Sequence, residues 1–184
     1  MKVNQLKTAF LTIGAICMLS LSACQTAPKT AEGRENIRSE AAAAVARAKQ
    51  TDSTLTRVLN DAAGYAVFPS VGKGAVGVGG AYGKGVLYER NRVVGYCDLT
   101  QGTIGLQLGG QSYTQIIAFE TNEAVRNFKA GNLRFAAQAT AVALRSGAGA
   151  NANYTDGVAV FTMDEAGLMF EASIGGQQFT YQDR

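Results

Sequence analysis

Between Val71 and Gly85, glycine occupies positions 72, 74, 77, 79, 80, 83 and 85, and no other stretch limits the fold as much. Each glycine costs a helix about 1 kcal/mol relative to alanine, so this segment is not helical. Gly72-Lys73-Gly74-Ala75-Val76-Gly77 formally matches the dinucleotide fingerprint, but that motif needs a helix to follow, with its N-terminus facing the pyrophosphate. Walker A fails as well, because Lys73 and Lys84 are each followed by glycine instead of Ser or Thr. The run reads as a strand whose Val76 and Val78 face one way while Gly77 and Gly79 face the other. A bare glycine face lets another backbone, a helix or an acyl chain come close. Internal packing and a ligand surface both fit that description.

The flanking segments supply the rest of a domain. Arg34 to Lys49 is alanine-rich and of high helix propensity, with a thin stripe of Ile37, Ala41, Ala44, Val45 and Ala48. A second helix is expected from Ser53 as N-cap, with Leu55, Val58, Leu59 and Ala62 on one face and Gly64 as its stop. Tyr65–Pro69 and Tyr113–Phe119 read as strands. Ile104, Leu106 and Leu108 alternate with Gly105 and Gln107, the pattern of a strand with one apolar face. Val86–Tyr88 and Val93–Tyr96 flank Glu89-Arg90-Asn91-Arg92, a hairpin tip. Thr121 caps a short helix from Asn122 to Ala130 that stops at Gly131. Phe135–Leu144 fits helix by its alanines and strand by its alternation. Asp156-Gly157 opens a final sheet region with Val158–Met163, Leu168–Ile174 and Phe179–Tyr181. Helices first, then many short strands, predict an α+β fold. Its N-terminal helices pack on a curved, mostly antiparallel glycine-rich sheet or open barrel.

The first residues carry an address. Lys2 and Lys7 precede an uncharged run from Thr8 to Ser22 that closes on Leu21-Ser22-Ala23-Cys24. The basic start and short apolar core are those of a secretory signal peptide. The core falls short of the roughly 20 residues a spanning helix needs. The leucine and small residues before Cys24 form a lipobox, so residues 1–23 are expected to be removed and Cys24 acylated with diacylglyceryl and N-acyl (palmitate) groups. Each buried methylene contributes about 0.8 kcal/mol and stable anchoring takes two chains. Gln25, where aspartate would mark inner-membrane retention, points to the periplasmic face of the outer membrane. Residues 24–33 form a tether of at most about 30 Å, and residues 34–184 form the domain.

The chain has no histidine and no tryptophan, which removes Ser-His-Asp and Cys-His nucleophile systems and the commonest zinc ligands. Asp164-Glu165 is the one adjacent carboxylate pair and precedes Ala166-Gly167 in what reads as a turn. No enzymatic activity, cofactor or metal site is expected. With Cys17 in the signal and Cys24 acylated, Cys97 is left alone, a buried thiol with no disulfide partner. The net charge falls from +3 to +1 without the signal's lysines, too little for a nucleic-acid partner. Residues 24–92 nevertheless carry +4 and residues 93–184 carry −3. That asymmetry suits an anionic membrane surface, where a basic residue contributes about 1 kcal/mol, or is a scatter of solvated charges.

Ala63-Gly64-Tyr65-Ala66-Val67-Phe68-Pro69 followed by the Gly72–Gly85 run resembles the opening of the SYLF domain, and Phe161–Gly176 is similar to that family's final hairpin. The resemblance spans Leu55 to Tyr181. Tyr96-Cys97-Asp98-Leu99-Thr100 stands where eukaryotic members carry a tryptophan-serine-proline element. The resemblance implies phospholipid binding and favours strand for Phe135–Leu144. Lys73, Lys84, Arg90 and Arg92 are the candidates for contact with anionic headgroups. The alternative is a structural or adaptor lipoprotein whose partner is another envelope protein, bound at an exposed strand edge.

Overall fold

The glycine run folds as a hairpin instead of a single strand. In β1 (Gly64–Val76) and β2 (Val78–Glu89), Val76 pairs with Val78, Gly74 with Gly80 and Lys73 with Ala81. The chain reverses between Val76 and Val78, so the alternation expected across the whole run does not hold. The computed structural model describes residues 28, 30–76, 78–104, 111–135, 139–151, 153–164 and 172–184. The lipobox, Cys24, the strand positions Leu106 and Leu108, the Glu165–Gly167 turn and most of Leu168–Ser173 lie outside the described residues, as do positions 136–138 of the ambiguous segment.

Helix α1 (Ala31–Thr51) begins three residues before Arg34. Thr30 caps it, its Oγ accepting from Gly33 N–H at 3.1 Å, and Glu32 and Lys49 complement the helix dipole at opposite ends. Its buried stripe is Ile37, Ala41, Ala44 and Ala48, small enough to let the helix rest directly on large sheet residues. Helix α2 (Leu55–Asp61) does not use Ser53 as its cap. Its N-cap is Thr54, whose side chain makes no cap bond; Asp52 Oδ1 accepts from Thr54 N–H at 3.0 Å and from the Thr54 hydroxyl at 2.7 Å. Gly64 opens β1 instead of ending α2.

The remaining elements are β3 (Arg92–Ile104), β4 (Gln111–Phe119), α3 (Asn122–Lys129), β5 (Thr140–Ala143), β6 (Val158–Asp164), β7 (Ala172–Ser173) and β8 (Gln177–Asp183). Thr121 caps α3 as expected, its Oγ accepting from Ala124 N–H at 3.2 Å. The sheet order is β7-β5-β6-β4-β1-β2-β3-β8. β5 runs parallel to β6 and the other pairings are antiparallel. The two-residue β7 extends a seven-stranded ladder at one end, and the sheet does not close.

Both faces of the sheet are buried. Tyr65, Val67, Val86, Tyr96, Ile116 and Phe161 meet α1 and α2 on the convex side. Ala66, Phe68, Leu87, Leu99, Ile117 and Phe179 line the concave side, which α3 covers with Val125 and Phe128. Burial on both faces explains why Tyr65-Ala66-Val67-Phe68 is an unbroken apolar run. A bulge in β1 between Val67 and Ser70 bends the strand, and the sheet curls until the Phe68 and Phe179 rings, on β1 and β8, stand 5.9 Å apart. Glycine makes that curl possible. A Cβ on Gly85 would fall 2.7 Å from the Phe68 ring, and one on Gly95 would overlap the Tyr181 ring. At these two positions the glycines serve internal packing.

Candidate functional site

The turn from β2 into β3 reverses in two residues, Arg90 and Asn91, with φ of 51° and 59°. Two successive left-handed residues make the tight hairpin geometry that follows the twist of its strands, and asparagine suits it. Tyr65 holds the turn in place, its hydroxyl donating to Asn91 Oδ1 at 3.0 Å while its ring stacks on Tyr88 at 4.9 Å. Burial, with the neighbouring Tyr88 hydroxyl adding to it, pushes the Tyr65 hydroxyl up to about 12. It therefore stays a donor through the physiological range. Arg90 and Arg92 point from this pinned turn into solvent.

The nearest acid is already engaged. Glu89 pairs with Lys129 of α3 at 2.5 Å, and the Lys129 ammonium also lies 5.2 Å from the Tyr181 ring centroid. Among the described residues neither Arg90 nor Arg92 has an ion-pair partner. The backbone N–H of exposed Arg184, just beyond β8, donates to Val94 O at 3.2 Å. A third arginine therefore stands at the same end of the sheet. Sequence reasoning missed Arg184, because only the β3–β8 pairing carries it there.

The four candidate cations do not form one patch. Lys84 is half-buried in the middle of β2, between Ser70 and Asp98 in register. Six positions separate it from Arg90, about 20 Å of strand. Lys73 lies still further along, half-buried, its ammonium 5.1 Å from the Tyr113 ring centroid on the concave side. Burial pulls its pKa down. The structure therefore brings Arg90 and Arg92 together and sets Lys73 and Lys84 apart from them.

Pro28, ahead of α1, meets the convex side. It is buried, its carbonyl accepting from Arg34 Nε at 3.1 Å, and the Arg34 guanidinium stacks over Tyr96 at 5.4 Å. Tyr96 lies four residues along β3 from Arg92. Cys97 is buried, and burial, with Asp98 adding to it, raises its thiol pKa well above the usual range, as an inert core thiol requires. Among the described residues no three His, Cys, Asp or Glu side chains stand close enough to hold a metal ion, and no helix is long and apolar enough to cross a membrane.

Residues 100–184, from the second half of β3 through β8, match the family described as Ysc84, Las17-binding protein actin regulator. The chain is also 30% identical over 156 residues to the beta cell expansion factor A of Aeromonas veronii, an alignment covering 83% of this chain and 59% of that protein. An alignment taking in so much of the chain necessarily includes the Ala63–Pro69 motif and the glycine run. The chain spans less than two thirds of that relative's length. The resemblance drawn from both ends of the domain and the family match over its second half converge, and residues 100–184 match the Ysc84 (SYLF) domain family.

Proposed function

We propose that this protein is a lipoprotein, acylated at Cys24 and held at the periplasmic face of the outer membrane, whose SYLF domain binds phospholipid through anionic headgroups. SYLF domains are associated with lipid binding. The observation that carries the reading is the pinned arginine tip, exposed and, among the described residues, free of ion pairs, on the strand whose Tyr96 receives Arg34. Four peptide links separate Cys24 from Pro28, a reach of about 14 Å. The tip lies about 16 Å along β3 from Tyr96. An anchored Cys24 and the tip can therefore meet one membrane surface.

Vesicle sedimentation of the Cys24→Ser chain tests this. It pellets with vesicles containing phosphatidylglycerol, less with phosphatidylcholine alone, and the difference shrinks as salt screens the arginines. Equal pelleting with both at low salt sinks the headgroup reading. A second reading, an adaptor for another envelope protein, draws on β8, which ends the sheet order and leaves one strand edge for a partner. Crosslinking in intact cells to a single stoichiometric protein would favour it.

A further inference from the structure

We propose that the cleft that residues 133–135 and Ala139 form with β6 takes one acyl chain of a bilayer phospholipid, drawn from the leaflet the arginine tip faces. This deepens the phospholipid-binding reading and rests on it. The cleft has a volume of about 430 Å³, inside the range of roughly 300–1,000 Å³ usual for small-molecule sites. Its floor is Leu133, Phe135, Val158, Val160 and Ile174. Four of these belong to the concave core, and Phe135 packs against it. A chain entering here therefore continues the main apolar core and strips water from no buried polar group along those side chains.

The mouth is built differently from the floor. Arg134 stands at the rim, exposed, with Nη1 donating to Gly131 O at 2.6 Å and Leu133 O at 2.8 Å. Those bonds fix the guanidinium in place, and its remaining N–H groups suit a phosphate. Asp156 borders the same mouth. An anion alone meets both signs of charge there, so the acyl chain has to carry the binding.

Position commits the occupant. Gly64 pairs with Phe119 and Phe119 with Val158, while Tyr65 pairs with Tyr88. The start of β6, and with it the mouth, thus lies level with the β2–β3 tip. Three strand spacings separate β6 from β2, about 14 Å. A domain resting on its arginine tip presents the mouth of the cleft to the same leaflet.

The test is photolabelling of the full-length chain on phosphatidylcholine–phosphatidylglycerol vesicles doped with a phosphatidylcholine that carries a diazirine at its acyl terminus. Peptide mapping is expected to place the insertions in residues 133–135 and 158–160. Ala139→Trp, which fills the cleft, takes labelling there to background; Val142→Trp at the outer wall does the same if the first variant does not fold. A chain that pellets with the vesicles but carries label only around residues 90–92, or keeps its cleft label in both tryptophan variants, overturns the proposal and leaves headgroup binding standing. A chain that neither pellets nor labels overturns both. Cleft labelling that rises when Cys24 is replaced by serine means the protein's own acyl group fills the cleft, and also overturns it.

Discussion

Gln115 on β4 and Gln177 on β8 exchange two hydrogen bonds across the concave face, Nε2 to Oε1 at 2.8 Å in one direction and 3.0 Å in the other. Four steps of sheet order separate these strands, so the pair closes across the mouth of the curl without any strand pairing. Both amides are fully buried, and Gln101 continues the network by donating Nε2 to Gly175 O at 2.9 Å.

Breaking that pair should be costlier than deleting it. Gln177→Leu leaves the Gln115 amide buried with its partner gone, at a cost of about 1–3 kcal/mol. The Gln115→Leu/Gln177→Leu double variant should lose less than the sum of the two single changes, because neither apolar residue strands the other. Urea unfolding of the four proteins measures the coupling. Strict additivity would mean that the amides do not hold the curl.

Asp52 clamps a distant loop. Besides its bonds to Thr54, its carboxylate accepts from Gly147 N–H at 3.1 Å and Gly149 N–H at 2.6 Å, tying the α1–α2 junction to residues 147–149. Burial pushes its pKa up, but the bonds from Thr54, Gly149 and Gly147 outweigh that and hold it below 3.8. A carboxylate with a depressed folded pKa contributes its full stability above the unfolded value and loses it as pH falls through the folded one. Asp52→Ala should therefore cost roughly 2–3 kcal/mol at neutral pH. Its deficit should close below about pH 3.8, read from urea midpoints across an acid series.

Glycine positions in the sheet should separate by what surrounds them. Gly85→Ala puts a methyl group 2.7 Å from both the Phe68 ring and Val67 O, and overpacking of this kind costs about 1–3 kcal/mol. Gly102→Ala meets no atom within 4 Å and should be close to neutral. Thermal melts of the pair check this, and equal losses at both positions would remove the packing account.

Some of this architecture was legible in the sequence. The α1 stripe could be read because 3.6-residue spacing survives whatever the helix packs on, and the Glu89–Arg92 tip because two apolar runs flank a polar turn. The Val76–Val78 reversal could not, since in a run of glycines the turn carries no composition different from its strands. Gln101, Gln115 and Gln177 look like solvent-facing residues in any local window. Their burial follows from the curl, which depends on the β1 bulge and on rings meeting across strands that are far apart in sequence. The same holds for the candidate site. Four cations were visible in one half of the chain, but only the β2 register shows that Lys84 and Lys73 stand away from Arg90 and Arg92.

The arginine tip yields the sharpest separation. A basic residue near an anionic surface contributes about 1 kcal/mol, so Arg90→Gln/Arg92→Gln should weaken binding to phosphatidylglycerol-containing vesicles about 30-fold. Arg92 sits next to the Tyr65-pinned turn, so Tyr65→Phe, which removes the bond to Asn91 and adds no charge, controls for the turn's shape. Lys84→Gln removes one positive charge, as either tip single does, from the middle of β2, about 20 Å from Arg90, and should change affinity less than twofold. Vesicle titration at low and at physiological salt distinguishes these outcomes. A loss from Lys84→Gln equal to that from Arg90→Gln or Arg92→Gln alone, about fivefold, would mean that the domain responds to its overall charge, and the tip would no longer be the contact.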